Sequence, residues 1–160
     1  MKALQSLTDV FKRHIADEKH LLVWAEDGAL FCTQGEAIDG FEVEYTGIVF
    51  VQDAKLNPST LFMHIVSWLN QHDPLRPEKG LAMPTFAVEP LDNGRFDFKL
   101  KLDLCEEYRL VADEEGDWQQ MGERYRCEST FERRAEEDEL GELVYFVGHL
   151  EDLPDVRDDH

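Results

Sequence analysis

Basic residues are scarce in this chain: 16 lysines and arginines stand against 35 aspartates and glutamates, a formal net charge of −19. A surface of that sign repels phosphate backbones, so direct nucleic-acid binding is not expected. Cysteine is scarce too. Cys32, Cys105 and Cys127 are odd in number and widely spaced, and no signal-peptide pattern precedes them. The expectation is free thiols in a reducing cytoplasm. No apolar run approaches the roughly 18 residues that a membrane-spanning helix takes, so a soluble protein without a membrane partner is expected.

The patterns that carry chemistry are also missing. There is no P-loop, dinucleotide-binding glycine fingerprint or nucleophile elbow, and no Cys-x-x-Cys or His-Glu-x-x-His spacing. His64 and His72 fall two turns apart on one helical segment, too far for a shared metal, and His14 and His20 straddle a helix end. Carboxylates are too many for a catalytic pair to stand out. The residues therefore nominate no catalytic, metal-binding or cofactor-binding group. A charge run such as Glu136-Glu137-Asp138-Glu139 reads as solvated surface.

What is present is alternation and helical spacing in a 160-residue chain long enough for one core. Phe41, Val43, Tyr45, Val49 and Val51 fall on one side of a period-two ladder. On the other side, Ile48 and Phe50 make the end of the same strand apolar on both faces, which marks them as candidate partner contacts. Asn57-Pro58 then starts a helix, with Asn57 as its cap and Pro58 in the first turn. In it Leu61, Phe62, Ile65, Val66, Trp68 and Leu69 share one face, and Asp73-Pro74 closes it. Residues 1–17 form an N-terminal helix with Leu4, Leu7, Val10, Phe11 and Ile15 on its buried stripe.

Leu21 to Ala25 reads as a strand, Glu26-Asp27-Gly28 as a turn, and Ala29 to Cys32 as the strand returning from it. Asn93-Gly94 marks a hairpin between Thr85–Glu89 and Arg95–Leu104. The second of these strands alternates Phe96, Phe98, Leu100, Leu102 and Leu104 with charged residues, one face packed and one wet. Residues 107–112 extend it, and Trp118 to Met121 come back after an Asp113–Gly116 turn.

The expected fold is α+β: a mainly antiparallel sheet with the N-terminal helix and a central amphipathic helix packed on it, plus a charged C-terminal extension. One domain spans residues 1–122. Residues 123–160 form a charged linker, a short late strand over 143–150 and an acidic tail. Tyr145 and Phe146 in that late strand are the other candidate partner contacts. The strand either folds back on its own sheet or pairs with a neighbouring protein.

Four stretches carry a resemblance. They are Lys19 to Gly28 (KHLLVWAEDG), Glu44 to Asp73 with its LFMHIVSWLNQHDP segment, the hairpin from Pro84 to Glu107, and the late island GELVYFVGHLEDLP. In apolar spacing and turn placement the chain resembles the tail completion protein R family of contractile-tailed temperate phages and their prophages. The segment from Arg126 to Glu142 departs from that pattern. The resemblance implies a non-enzymatic role in virion assembly, finishing the tail so that it joins the head. It implies no cofactor, contacts with other phage tail proteins, room for a homo-oligomeric ring, and a path from the bacterial cytoplasm to the virion tail. Three other classes stay open beside it: an acidic DNA-mimic inhibitor encoded by a prophage, a small binding module for another partner, and a small enzyme with a carboxylate–histidine site.

Overall fold

The computed structural model describes residues 1–32 and 35–131. Two α-helices, two single-turn 3-10 helices and six strands are present among them, and every strand pairing is antiparallel. Helix α1 is Lys2–His14 and helix α2 is Pro58–His72. The strands are β1 (Leu21–Phe31), β2 (Gly40–Ala54), β3 (Thr85–Pro90), β4 (Phe96–Ala112), β5 (Trp118–Gln120) and β6 (Glu123–Ser129). The sheet runs β1-β2-β4-β6-β5, and β3 also pairs with β4. This is the α+β arrangement read from the pattern.

Alternation decides which face is covered. On β4 the buried row is Phe96, Phe98, Leu100, Leu102 and Leu104, as its period-two spacing requires. Tyr45, Val49 and Val51 of β2 join it, and the two helices close over this side with Leu4, Leu7, Phe11, Leu61, Ile65 and Trp68. Each such side chain contributes roughly 1.5–3 kcal/mol when fully buried. Helix α1 crosses β2 where Gly47 leaves room. A Cβ there would lie 3.0 Å from the Leu4 side chain and 3.4 Å from those of Leu102 and Leu104.

Helix α2 begins as its sequence indicates, with the Asn57 side chain accepting the Ser59 N–H at 2.8 Å. Leu61, Ile65 and Trp68 are buried, while Phe62 and Leu69 are half-buried. Val66 is not on the buried face as expected. It is 47% exposed.

A buried carboxylate fixes the start of α1. Glu106 ends the inward row of β4, and its Oε1 accepts the N–H groups of Lys2 and Ala3 at 2.7 and 2.9 Å. Its Oε2 accepts the Tyr45 hydroxyl at 2.6 Å. A buried charge is tolerable when it is hydrogen-bonded this fully, and the helix N-terminus favours negative charge.

Three expectations are corrected. Residues 26–28 do not reverse the chain: β1 continues to Phe31 on the same partner, with a bulge between Glu26 and Ala29 that Asp27 enters at φ 53°. Strand β2 likewise runs past Val51, the last residue of its expected ladder, to Ala54, through a second irregularity where Asp53 has φ 56°. Residues 123–129, expected as the start of a linker, are β6, paired with the end of β4. The two-residue turn leading into β6, Met121-Gly122, has positive φ at both positions. The rest of the expected linker, the late strand over 143–150 and the acidic tail lie outside the described residues.

Two outcomes follow. Trp68→Ala removes an aromatic ring from the core and is expected to lower stability by about 3–5 kcal/mol, measured by denaturant unfolding. Burial first, then the bond to and charge of Glu106, push the Tyr45 phenol far above its usual value near 10. The folded state thus holds that proton more tightly than the unfolded chain. Its contribution is complete below about pH 10 and is lost as pH rises above that. Unfolding midpoints from about pH 8 to about pH 11 should fall, and Tyr45→Phe should flatten the decline.

Candidate functional site

The helices cover one face of the sheet, and the described residues place no second layer on the other. Three rungs cross that uncovered face. Leu22 of β1, Phe50 of β2 and Lys99 of β4 stand side by side, then Trp24, Ile48 and Lys101, then Glu26, Thr46 and Asp103. The rungs are tied diagonally. The Lys99 ammonium lies 5.8 Å from the centre of the Trp24 ring, and the Lys101 ammonium 3.9 Å from the Glu26 carboxylate. Trp24 Nε1 donates to Glu26 Oε2 at 3.1 Å, and the Thr46 hydroxyl donates to Asp103 Oδ1 at 2.8 Å.

These links decide the fate of the two sequence candidates on β2. Since β2 lies between β1 and β4, every contact from Trp24 to Lys99 and from Glu26 to Lys101 passes over its side chains. Ile48 therefore has 0% exposure, although no element among the described residues covers it. Its side chain lies beneath those of its neighbours on β1 and β4. Phe50 is half-buried beside it. The accessible apolar surface is on β1, where Leu22 is 54% and Trp24 40% exposed. Neither stood out in the sequence, since the run Leu21 to Ala25 is continuously apolar and hides which residues face which side. Tyr145 and Phe146 lie outside the described residues.

A second apolar surface lies where α2 meets β3. The Phe62 and Phe86 rings are 4.7 Å apart, and Met63, Val66, Met83 and Val88 are exposed. Strand β3 is exposed along its whole length and pairs on one side alone among the described residues.

Groups able to do chemistry converge little. His14 and His64, from the two helices, stack with ring centres 4.5 Å apart. Glu42, Glu44 and Cys105 form the one potential metal-donor trio among the described residues, with ligand atoms within 4.8 Å of one another. Burial first, then Glu42 and Glu44, raise the Cys105 thiol to about 11, so at neutral pH a metal would have to displace its proton. A cavity of about 240 Å³ lies between the end of α2, the start of α1 and the middle of β4, lined by Trp68, His72, Leu104, Glu106 and Phe131 among others. Asp73 on its wall forms a buried ion pair with Arg76 at 2.6 Å and meets Lys79 at 3.2 Å. No helix among the described residues is long and apolar enough to cross a membrane.

Fold and surface together define an α+β domain built on a single long antiparallel sheet with a half-apolar uncovered face. The chain belongs to the family described as P2 phage tail completion protein R (GpR), whose sequence model matches residues 1–127. It is thus a bacteriophage structural protein of the tail completion type. It is also 28% identical over 122 residues to a protein of Haemophilus phage HP1 (strain HP1c1), covering 71% of this chain and 73% of that one. The relative bears the name "Uncharacterized 19.2 kDa protein in rep-hol intergenic region".

The state of Cys105 is open to direct measurement. With a half-buried thiol held protonated, it should alkylate more slowly at neutral pH than the exposed Cys32, as read by peptide mass mapping under limiting reagent. Equal rates would contradict the described environment.

Proposed function

We propose that this protein completes the phage tail by protein–protein contact rather than by catalysis, using the uncovered sheet face as a contact surface. The observation that carries the role is membership of the tail completion family over residues 1–127. The mechanism is supported by Leu22, Trp24 and Phe50, which offer an apolar strip on a face that nothing in the described chain covers. Apolar strips with an aromatic anchor and a charged rim suit contact with other proteins. Lys99, Lys101 and Glu26 form that rim.

The partners are other tail proteins, met in the bacterial cytoplasm during assembly and retained in the virion tail. Copies of the chain associate in a ring, which closes when a heterologous contact repeats by rotation. A net charge of −19 opposes that association and also keeps the protein off DNA. Salt screens such repulsion over about 8–10 Å, so ring formation strengthens as ionic strength rises.

The test is the double variant Leu22→Glu with Trp24→Glu. They should leave the fold intact by circular dichroism, with a stability loss of about 1–3 kcal/mol, since Trp24 also helps to cover Ile48. The variant should nevertheless fail to restore infectious particles in a phage lacking this protein, and should lose the salt-enhanced scattering of the unaltered chain. Full restoration by a folded variant would rule out this face as the contact surface.

A further inference from the structure

The edge of β4 that faces away from β2 is occupied at both ends and open in the middle. Strand β3 pairs with Phe96 to Lys101, and β6 with Tyr108 to Ala112. Both lie on the same edge, because β2 holds the other from Phe96 to Arg109, opposite β3 and opposite the first residues that β6 pairs. Leu102 to Glu107 therefore have no strand beside them on this edge among the described residues. Alternate residues of an antiparallel strand turn their N–H and C=O groups to each side, so about half of this stretch aims its main chain into the gap. One such group is answered: the Glu107 carbonyl accepts the Thr130 hydroxyl at 3.1 Å. Main-chain groups this close to a core ordinarily find partners.

The cavity of about 240 Å³ opens at the same place, with Leu104, Cys105 and Glu106 of the unpaired stretch in its wall. It is smaller than the roughly 300–1,000 Å³ of small-molecule sites. Its lining of Trp68, His72, Leu75 and Phe131 suits one aromatic side chain. Arg76, bonded to Asp73 on the cavity wall, is 3% exposed, and its Nη2 has no acceptor among the described residues. A buried donor of this kind calls for an acceptor brought from elsewhere.

The described chain stops at the cavity's rim. Phe131 packs against Trp68 at 6.3 Å and His72 at 5.4 Å between ring centres. Eleven residues, 132–142, separate it from Leu143, and a chain of that length reaches at most about 40 Å. Beyond Phe131 the aromatic residues are Tyr145 and Phe146, both inside Leu143 to Leu150. Glu142 and Glu151 bracket that stretch and suit the cation Lys79 on the cavity wall.

We propose that Leu143 to Leu150 of the same chain docks as a strand in the gap along Leu102 to Glu107. Val144 and Phe146 face inward, with the Phe146 ring in the cavity, and Tyr145 faces the uncovered side, where its hydroxyl meets water. The occupant is the chain's own segment, not that of a second copy. A short tether holds it at an effective concentration in the millimolar range, while copies carrying −19 repel one another.

Two measurements on the full chain test this. Phe146→Asp should speed exchange of those amides of Leu102 to Glu107 that aim into the gap by about tenfold or more while leaving the core of β2, such as Val49, unchanged. In a background with Cys32→Ser and Cys127→Ser, Tyr145→Cys or Val147→Cys should oxidise with Cys105 to a disulfide within one chain, since facing residues of paired strands lie about 4.5–5.5 Å apart at Cβ. Unchanged exchange together with no disulfide from either variant overturns the proposal. A disulfide formed solely between chains also overturns it, by placing the segment on a second copy.

Discussion

The fold depends on one strand having both of its edges in use. Strand β4 carries β2 along one edge and β3 and β6 along the other, so its side-chain alternation sets the layering of the whole sheet. Five apolar residues from Phe96 to Leu104 face the helices, and the sixth place in that row belongs to Glu106. That position would be unfavourable for a charge without partners. Here the carboxylate answers two main-chain donors at the start of α1 and the Tyr45 hydroxyl, groups that would otherwise be left unsatisfied in the interior. The polar contact fixes where the helix starts, and the apolar contacts at Leu4, Leu7 and Phe11 then follow from helical spacing.

The two faces of the sheet are stabilised differently. The inner face is a packed core between sheet and helices, where the hydrophobic term dominates. The outer face has no layer above it among the described residues, so long side chains cover the strand between them. Trp24 and Lys99 meet over β2, as do Glu26 and Lys101, and Ile48 is shut off from water beneath them. These are partly exposed contacts, each of modest strength. Such a face holds its own shape while leaving Leu22, Trp24 and Phe50 accessible, which is what a surface for assembly requires.

Signals that act over a few residues were legible in the chain. Asn57-Pro58 announces the start of α2, because a cap and a first-turn proline act within four residues. The strict alternation of β4 shows its buried row, because side chains of a strand must point to opposite faces. Asn93 and Gly94 mark the connection from β3 to β4, where both adopt the positive φ that those residue types tolerate. The resemblance to tail completion proteins also lay in such spacing, and the family match over residues 1–127 agrees with it.

The rest is set by residues far apart in sequence. Asp27-Gly28 has the composition of a hairpin turn, yet both halves of β1 find the same partner, so the pair makes a bulge instead. Ile48 has the pattern of an exposed apolar residue, and its burial comes from Trp24 and Lys101 on strands to either side. Glu106 sits among many carboxylates and becomes singular because α1, 103 positions away, brings its first N–H groups there. The gap along β4 exists because β3 and β6, 33 residues apart at their nearer ends, stop short of each other on one edge. Local sequence determined which segments are helices and strands and which side of each is apolar, because those choices depend on backbone conformation and neighbouring side chains. Only the tertiary structure decided which apolar side chains stay exposed and which carboxylate is structural, because both depend on what long-range strand pairing brings alongside.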